Sequence, residues 1–129
     1  MNYLLDTHLF LWYINGDEKL KSKYKEIIEN LENDMYLSTV SIWECIIKAK
    51  TGKLEIPNPI YDYLNTKRIE HKIEILNFNY NSLYFLETLP DIHKDPFDRL
   101  IICQALSNNL ILLTDDELIL KYPVQKITN

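Results

Sequence analysis

Short apolar runs that alternate with helix-like stretches restrict the fold of this chain more than any other feature. Tyr3–Leu5 and Leu110–Leu113 are apolar at every position, and Met35–Ser38 and Ile73–Leu76 are runs of similar length with a mostly apolar character. A strand that is apolar on both faces has to be buried on both, which a parallel sheet between helical layers provides. We therefore predict an α/β fold with three layers, α/β/α, in which Val124–Ile127 adds a fifth strand.

The length and the net charge of the chain argue against several classes of protein. The 129 residues suit a single domain over residues 1–129, and Met1–Asp6 lacks the basic start of a signal peptide. No apolar run approaches the roughly 20 residues of a membrane span, so we expect a cytoplasmic protein without membrane contact. The net charge of −5 argues against a non-specific grip on nucleic acid, so any such chemistry would need a cation at the site.

Helix signals fill the intervals between the strands. Ser41 followed three residues later by Glu44 has the form of a capping box, so one helix is predicted to begin at Ser41. Asp95 in front of Pro96 has the form of an N-cap followed by a proline at the first helical position. The predicted helices are Leu9–Ile14 before Gly16, Asp17–Glu32, Ser41 to about Gly52, Ile60–Arg68, a segment that carries Leu83 and Leu86, and Pro96–Leu106.

Four carboxylates are expected at one edge of the predicted sheet. Asp6 and Asp116 follow strands, and Glu44 and Asp98 lie in the first turns of predicted helices. In such folds ligands bind beyond the carboxyl ends of the strands, and carboxylate oxygens suit Mg²⁺ or Mn²⁺. Each acid alone is equally well explained as a helix cap or as a partner of the helix dipole. Four together would repel one another, which favours a bound cation.

The identity of the fourth acid is open between Asp115 and Asp116. The preceding strand is apolar throughout, so its pattern does not fix which face its end presents. Thr114 and Glu117 form another possible capping box, which would put both aspartates in a first helical turn. Local physics therefore does not choose between them.

The ordered set of these motifs resembles the PIN-domain ribonucleases, specifically the VapC-type toxins of type II toxin–antitoxin pairs. The likeness covers nearly the whole chain, and its third group of residues is the most specific. It rests on Leu4–His8; on Ser41–Glu44 with Lys48 and Gly52–Leu54; on Leu89–Pro90, His93, Asp95–Arg99 and Gln104–Ala105; and on Leu113–Asp116 with Tyr122 and Val124. The family's frequent tryptophan after the last strand is absent, and Lys121–Pro123 replaces a glycine-containing turn.

The resemblance implies a PIN-like fold with a parallel five-stranded sheet and endonucleolytic hydrolysis of RNA by a water that Mg²⁺ or Mn²⁺ activates. It gives the catalytic and metal-binding roles to four acids, and its T-x-D pattern selects Asp116 over Asp115. It also implies a cognate antitoxin as partner, transfer RNA as the first substrate to consider, and a homodimer, which the nine tyrosines also favour. The four acids are Asp6, Glu44, Asp98 and Asp116.

Five further side chains are candidates for supporting roles. By resemblance, the hydroxyls of Thr7, Ser41 and Thr114 orient the carboxylates, a role that outer partners of metal ligands commonly have. Lys48 and Arg99 are candidates for contacts with substrate phosphates. The alternatives are a solvated surface for Lys48 and an ion pair with an acid for Arg99.

Two other functions remain open. One is a catalytically silent module that keeps the PIN fold and its partner. The other is an aspartyl phosphatase-like enzyme with Asp6 as nucleophile. That chemistry usually has a second acid two residues later, where this chain has His8.

Overall fold

A four-stranded parallel sheet forms the centre of the molecule, a computed structural model that describes residues 1–127. Its strands are β1 (Asn2–Leu5), β2 (Asp34–Ser38), β3 (Ile73–Leu76) and β4 (Ile111–Leu113), in the spatial order β3-β2-β1-β4. Leu4 pairs in register with Tyr36 on one side and with Leu112 on the other. Because β1 lies inside the sheet, the residue that follows it reaches the middle of the carboxyl edge.

Helices cover both faces of this sheet. Leu5 belongs to a core cluster with Phe10 and Leu64, whereas Leu4 belongs to a second cluster with Ile102 and Leu112. Neighbouring residues of a strand point to opposite faces, so the two clusters flank the sheet and the predicted three-layer α/β/α fold is confirmed. Within residues 1–127 the α-helices are α1 (Thr7–Asn15), α2 (Ser22–Glu29), α3 (Thr39–Lys50), α4 (Ile60–Glu70) and α5 (Pro96–Ser107).

The predicted fifth strand is wrong. Over Val124–Ile127, all of which the structure describes, pairing with the sheet is limited to one bridge between Ile111 and Gln125, supported by a 2.9 Å hydrogen bond from the Leu112 N–H to the Gln125 carbonyl. The side chain of Tyr122 is buried and fixed to another loop, so the chain meets the edge of β4 only from Gln125 onward.

Two predicted helix starts are also wrong. The helix expected from Asp17 begins at Ser22, because residues 17–20 form a turn in which the Asp17 carboxylate accepts from the Lys19 N–H. The capping box at Ser41 does not form, since Ser38 caps α3 by accepting from the Val40 N–H at 3.0 Å. The sequence has three hydroxyl residues between positions 38 and 41, and any of them suits an N-cap.

Three further local features complete the description of the fold. The segment that carries Leu83 is a 3₁₀ helix, Tyr80–Phe85, rather than an α-helix. Cys45 and Cys103 are buried free thiols, and burial raises the pKa of Cys45 to about 12. Among residues 1–127 there is no helix with the length and apolar character that crossing a membrane requires.

Candidate active site

Asp6 stands at the carboxyl end of β1 and caps helix α1. One of its carboxylate oxygens accepts from the His8 N–H at 3.2 Å, and the other accepts from the Thr114 hydroxyl at 2.7 Å. Burial raises its pKa; the Thr114 bond and the nearby His8 oppose this, and the charge of Asp116 adds to it. The Asp6 carboxylate is thus held between the first and the last strand of the sheet.

Glu44 lies inside helix α3 and is 1% exposed. Its Oε2 accepts from the Lys48 ammonium at 2.5 Å, whereas its buried Oε1 has no hydrogen-bond partner among the described residues. A buried acceptor without a partner is costly and uncommon. A few residues away, the Thr7 hydroxyl donates to the Ser41 hydroxyl at 2.7 Å and ties α1 to α3.

Asp98 is the residue on which the other acids converge. It lies in the first turn of α5, behind an N-cap formed by Asp95, whose carboxylate accepts from the Phe97 and Asp98 N–H groups. Burial, together with the charges of four neighbouring carboxylates, raises the pKa of Asp98 to about 8. Three of the four belong to the predicted set, so the fold brings all of that set together. The four neighbours are Asp6, Asp95, Glu44 and Asp116.

Asp115 and Asp116 face different neighbours. Asp116 approaches the ring of His93, with 3.3 Å between its Oδ2 and the Nε2 atom. Asp115 lies beside Tyr24, whose pKa is raised first by burial and then by the Asp115 charge. The predicted capping box of Thr114 and Glu117 is not formed: the Thr114 hydroxyl accepts from the Asp116 N–H and donates to Asp6.

This difference predicts unequal effects of two neighbouring substitutions. Asp116→Asn removes a charge from the acid cluster and is expected to lower Mn²⁺ affinity, and the RNA cleavage that the family resemblance implies, by roughly 10–100-fold. Asp115→Asn, the matched control, should leave both within about 3-fold of wild type on the same scale. Isothermal titration with Mn²⁺ and a cleavage assay measure both. A larger effect for Asp115→Asn would contradict the geometry of this turn.

The sequence analysis missed two members of the cluster, His93 and Asp95. The Nε2 atom of His93 lies 3.0 Å from Asp98 Oδ2, and Asp95 Oδ2 lies 3.9 Å from the Lys48 ammonium. Both residues belong to the set that carries the family resemblance, and Asp95 was also the expected N-cap of α5, but neither was predicted to act at the site. The spacing of His93, Asp95 and Asp98 along one loop and helix start was the signal available in the sequence.

Two groups of possible metal-ligand atoms meet at Asp98. One comprises His93, Asp98 and Asp116, and the other comprises Glu44, Asp95 and Asp98; within each group the atoms lie within 4.8 Å of one another. Carboxylates dominate both groups, and such oxygen-rich sets suit Mg²⁺ or Mn²⁺ better than softer metals.

The two predicted cationic residues have different surroundings. Burial alone would lower the pKa of Lys48, but its hydrogen bond to Glu44 and the nearby carboxylates raise it above the ordinary value. The Arg99 guanidinium donates to the backbone carbonyls of residues 89, 90 and 93 and lies 3.5 Å from the exposed Asp91 carboxylate. Lys48 therefore faces the acids, while Arg99 anchors the loop in front of α5.

Comparisons with known proteins agree with this architecture. The sequence matches the family model described as PIN domain over residues 3–124. The structure of VapBC2 from Rickettsia felis, bound to a DNA fragment from their promoter, gives a TM-score of 0.71 at 17% identity and covers 98% of both chains. VapBC-1 from nontypeable Haemophilus influenzae gives 0.65 at 18% identity, over 98% of this chain and 97% of that one.

A third similar structure is a domain of a functionally unknown protein from Methanocaldococcus jannaschii. Its TM-score is 0.54 at 18% identity, and the match covers 99% of this chain and 90% of that one. At such identities the solved structures show a shared fold. Among curated proteins, none matches the sequence.

Proposed function

This chain belongs to the PIN domain family, and on that basis we propose that it is a metal-dependent endoribonuclease and the toxin of a toxin–antitoxin pair. The observation that carries the proposal is the convergence of buried and half-buried carboxylates on Asp98, whose pKa they raise together with burial. Such a concentration of negative charge is costly without a cation. PIN proteins are generally nucleases, and this cluster has the composition that such chemistry requires.

A divalent ion fits the residues that are present. The buried Glu44 Oε1 lacks a hydrogen-bond partner within residues 1–127, and the neighbouring acids offer further oxygen ligands. We propose that the ion is held by Asp6, Glu44, Asp98 and Asp116. It would supply the positive charge that stabilises a phosphodiester under attack by water.

The surrounding side chains would keep these acids in place. The Thr114 hydroxyl holds Asp6 at 2.7 Å, and the Thr7–Ser41 hydrogen bond fixes the start of α1 against α3. Outer partners of this kind fix the orientation of metal-binding carboxylates. The net charge of −5 does not attract a negatively charged substrate. Lys48, which lies beside the acids, would provide a local positive charge for a contact with that substrate.

A cleavage assay with defined metal content tests the enzymatic part. The full-length protein is expected to cleave RNA, with transfer RNA as the first substrate to try, only when Mg²⁺ or Mn²⁺ is present. Excess chelator should reduce the rate to that of Asp6→Asn purified in the same way, which controls for contaminating nuclease. Full cleavage in chelator would contradict the metal mechanism.

The partner is tested separately. The VapBC likeness and PIN membership support an antitoxin, so co-expression with the product of an adjacent gene should give a stable complex that no longer cleaves RNA. Light scattering of the isolated chain tests the proposed homodimer. A protein that binds such a partner but never cleaves RNA with metal present would instead be the silent module, and hydrolysis of a small phosphomonoester would favour the phosphatase.

A further inference from the structure

His93 lies between two of the acids in the candidate site. Its side chain is 12% exposed, and its Nε2 atom is 3.0 Å from Asp98 Oδ2 and 3.3 Å from Asp116 Oδ2. These distances alone would place the imidazole beside the two carboxylates as a third metal ligand.

The other ring nitrogen points to a different role. The Nδ1 atom of His93 accepts a hydrogen bond from the backbone N–H of Asp95 at 3.1 Å. A backbone amide can only donate, so Nδ1 carries a lone pair and no proton. The ring proton is therefore on Nε2, which donates toward the carboxylates of Asp98 and Asp116.

This arrangement is the reverse of the usual metal-binding histidine. A ligating imidazole offers the lone pair of one nitrogen to the metal, and its other nitrogen donates N–H to a carboxylate or carbonyl. In His93 the nitrogen that faces the acids carries the proton, while the nitrogen that faces away meets a donor rather than an acceptor.

We propose that His93 is a positioning residue, which donates from Nε2 to Asp98 and Asp116 and sets their separation, and that it is not a metal ligand. The cleavage measurements that test this proposal rest on the proposed ribonuclease function, whereas its spectroscopic measurements do not. Without this donor the hydrogen bonds that hold the two carboxyl groups at this separation are lost, and the two groups are expected to move apart.

Several hydrogen bonds fix the loop that carries His93. The buried Tyr122 hydroxyl accepts from the N–H groups of Ile92 at 3.1 Å and His93 at 2.8 Å, and donates to the Pro90 carbonyl at 2.7 Å. Arg99 adds a 3.2 Å hydrogen bond to the His93 carbonyl. These bonds fix the backbone at His93, and the Asp95 N–H holds the ring itself at Nδ1.

The test begins with the unmodified full-length protein. Nitrogen-15 NMR of the metal-free chain is expected to show His93 as the neutral tautomer with its proton on Nε2. In the Mn²⁺-loaded chain, electron spin-echo spectra should lack the modulation of a directly bound imidazole nitrogen. A proton on Nδ1, or a directly bound nitrogen from His93, would overturn the proposal whether or not the protein cleaves RNA.

Three substitutions of His93 then distinguish a hydrogen-bond donor from a metal ligand. In His93→Gln the amide nitrogen can occupy the place of Nε2, whereas in His93→Asn it falls near the place of Nδ1, and His93→Phe has no donor. Cleavage by the phenylalanine and asparagine variants is expected to fall roughly 10–100-fold, and the glutamine variant should be several-fold faster than both. Mn²⁺ affinity of the glutamine variant should stay within about 3-fold of wild type.

The alternatives give distinct results. If His93 is a metal ligand, the glutamine and phenylalanine variants should lose Mn²⁺ affinity equally. If all three variants cleave RNA at equal rates, His93 has no positioning role. Either result rejects the proposal. Thermal unfolding of each variant shows whether it is folded. If wild type itself never cleaves RNA, the proposed ribonuclease function fails, and the tautomer and the Mn²⁺ spectra still decide the role of His93.

Discussion

Asp98→Asn is expected to lower RNA cleavage by more than about 100-fold, beyond the range of roughly 10–100-fold that outer partners of a metal usually give. Asp98 is the residue that both groups of possible ligand atoms share, and four neighbouring carboxylates act on it. The substitution should leave the fold intact, because the N-cap of α5 is Asp95 and not Asp98. Initial rates on one RNA with saturating Mg²⁺ measure the loss.

Asp62→Asn is the matched control for this substitution. Asp62 occupies the corresponding position in the first turn of α4 but is exposed and lies outside the acid cluster. Both variants change the interaction with a helix dipole by a similar amount. Only the Asp98 variant is expected to lose cleavage. Equal rates for the two variants would show that Asp98 serves α5 and not the chemistry.

In the metal-free protein, the free energy of unfolding should fall as the pH rises from about 5 to about 8. The folded state holds the pKa of Asp98 near 8, against 3.8 as the ordinary value, so between these values the folded state keeps a proton that the unfolded state has lost. Stability is therefore full below the ordinary pKa and is lost as pH rises through the folded one. One unit of pKa corresponds to about 1.4 kcal/mol, so the loss should be on the order of 2–4 kcal/mol.

Thermal unfolding of chelator-treated protein at several pH values checks this dependence. Asp98→Asn should flatten it and melt above wild type at pH 8, whereas Asp62→Asn should keep the slope of wild type. Mg²⁺ at about 100 times its Kd should return about 2.7 kcal/mol to wild type by mass action. If Asp98 only complements the helix dipole, its substitution instead costs about 0.3–1 kcal/mol and Mg²⁺ has no effect.

The convergence of the four acids could be predicted from the sequence because it depends on chain order alone. Asp6 and Asp116 come soon after apolar strands, and the carboxyl ends of parallel strands meet at one edge. The helix of Glu44 starts two residues earlier than predicted, but it still follows β2 directly, so Glu44 remains near this edge. Whether the four acids bind a metal is a prediction that the experiments above address.

Other parts of the site could not be predicted because they depend on contacts between distant residues. The place of His93 is set by Tyr122, 29 residues later, and by the guanidinium of Arg99. The tautomer of its ring depends on one backbone amide, that of Asp95, whose direction follows from the loop. The prediction of a fifth strand was wrong for a related reason. The Tyr122 side chain is hydrogen-bonded to the same loop, so the chain reaches the edge of β4 only at Gln125.

The pairing of β1 with β4 determines when the acid cluster can form during synthesis of the chain. The Thr114 hydroxyl that holds Asp6 is 108 residues away along the chain, and the Asp6 N–H donates to the Leu113 carbonyl at 3.0 Å. A nascent chain that the ribosome has extended only through α5 already contains Asp6, Glu44 and Asp98, but one edge of β1 is still unpaired. The acid cluster is therefore completed only when β4 and Asp116 have emerged, and a partly synthesised chain does not yet contain the whole site.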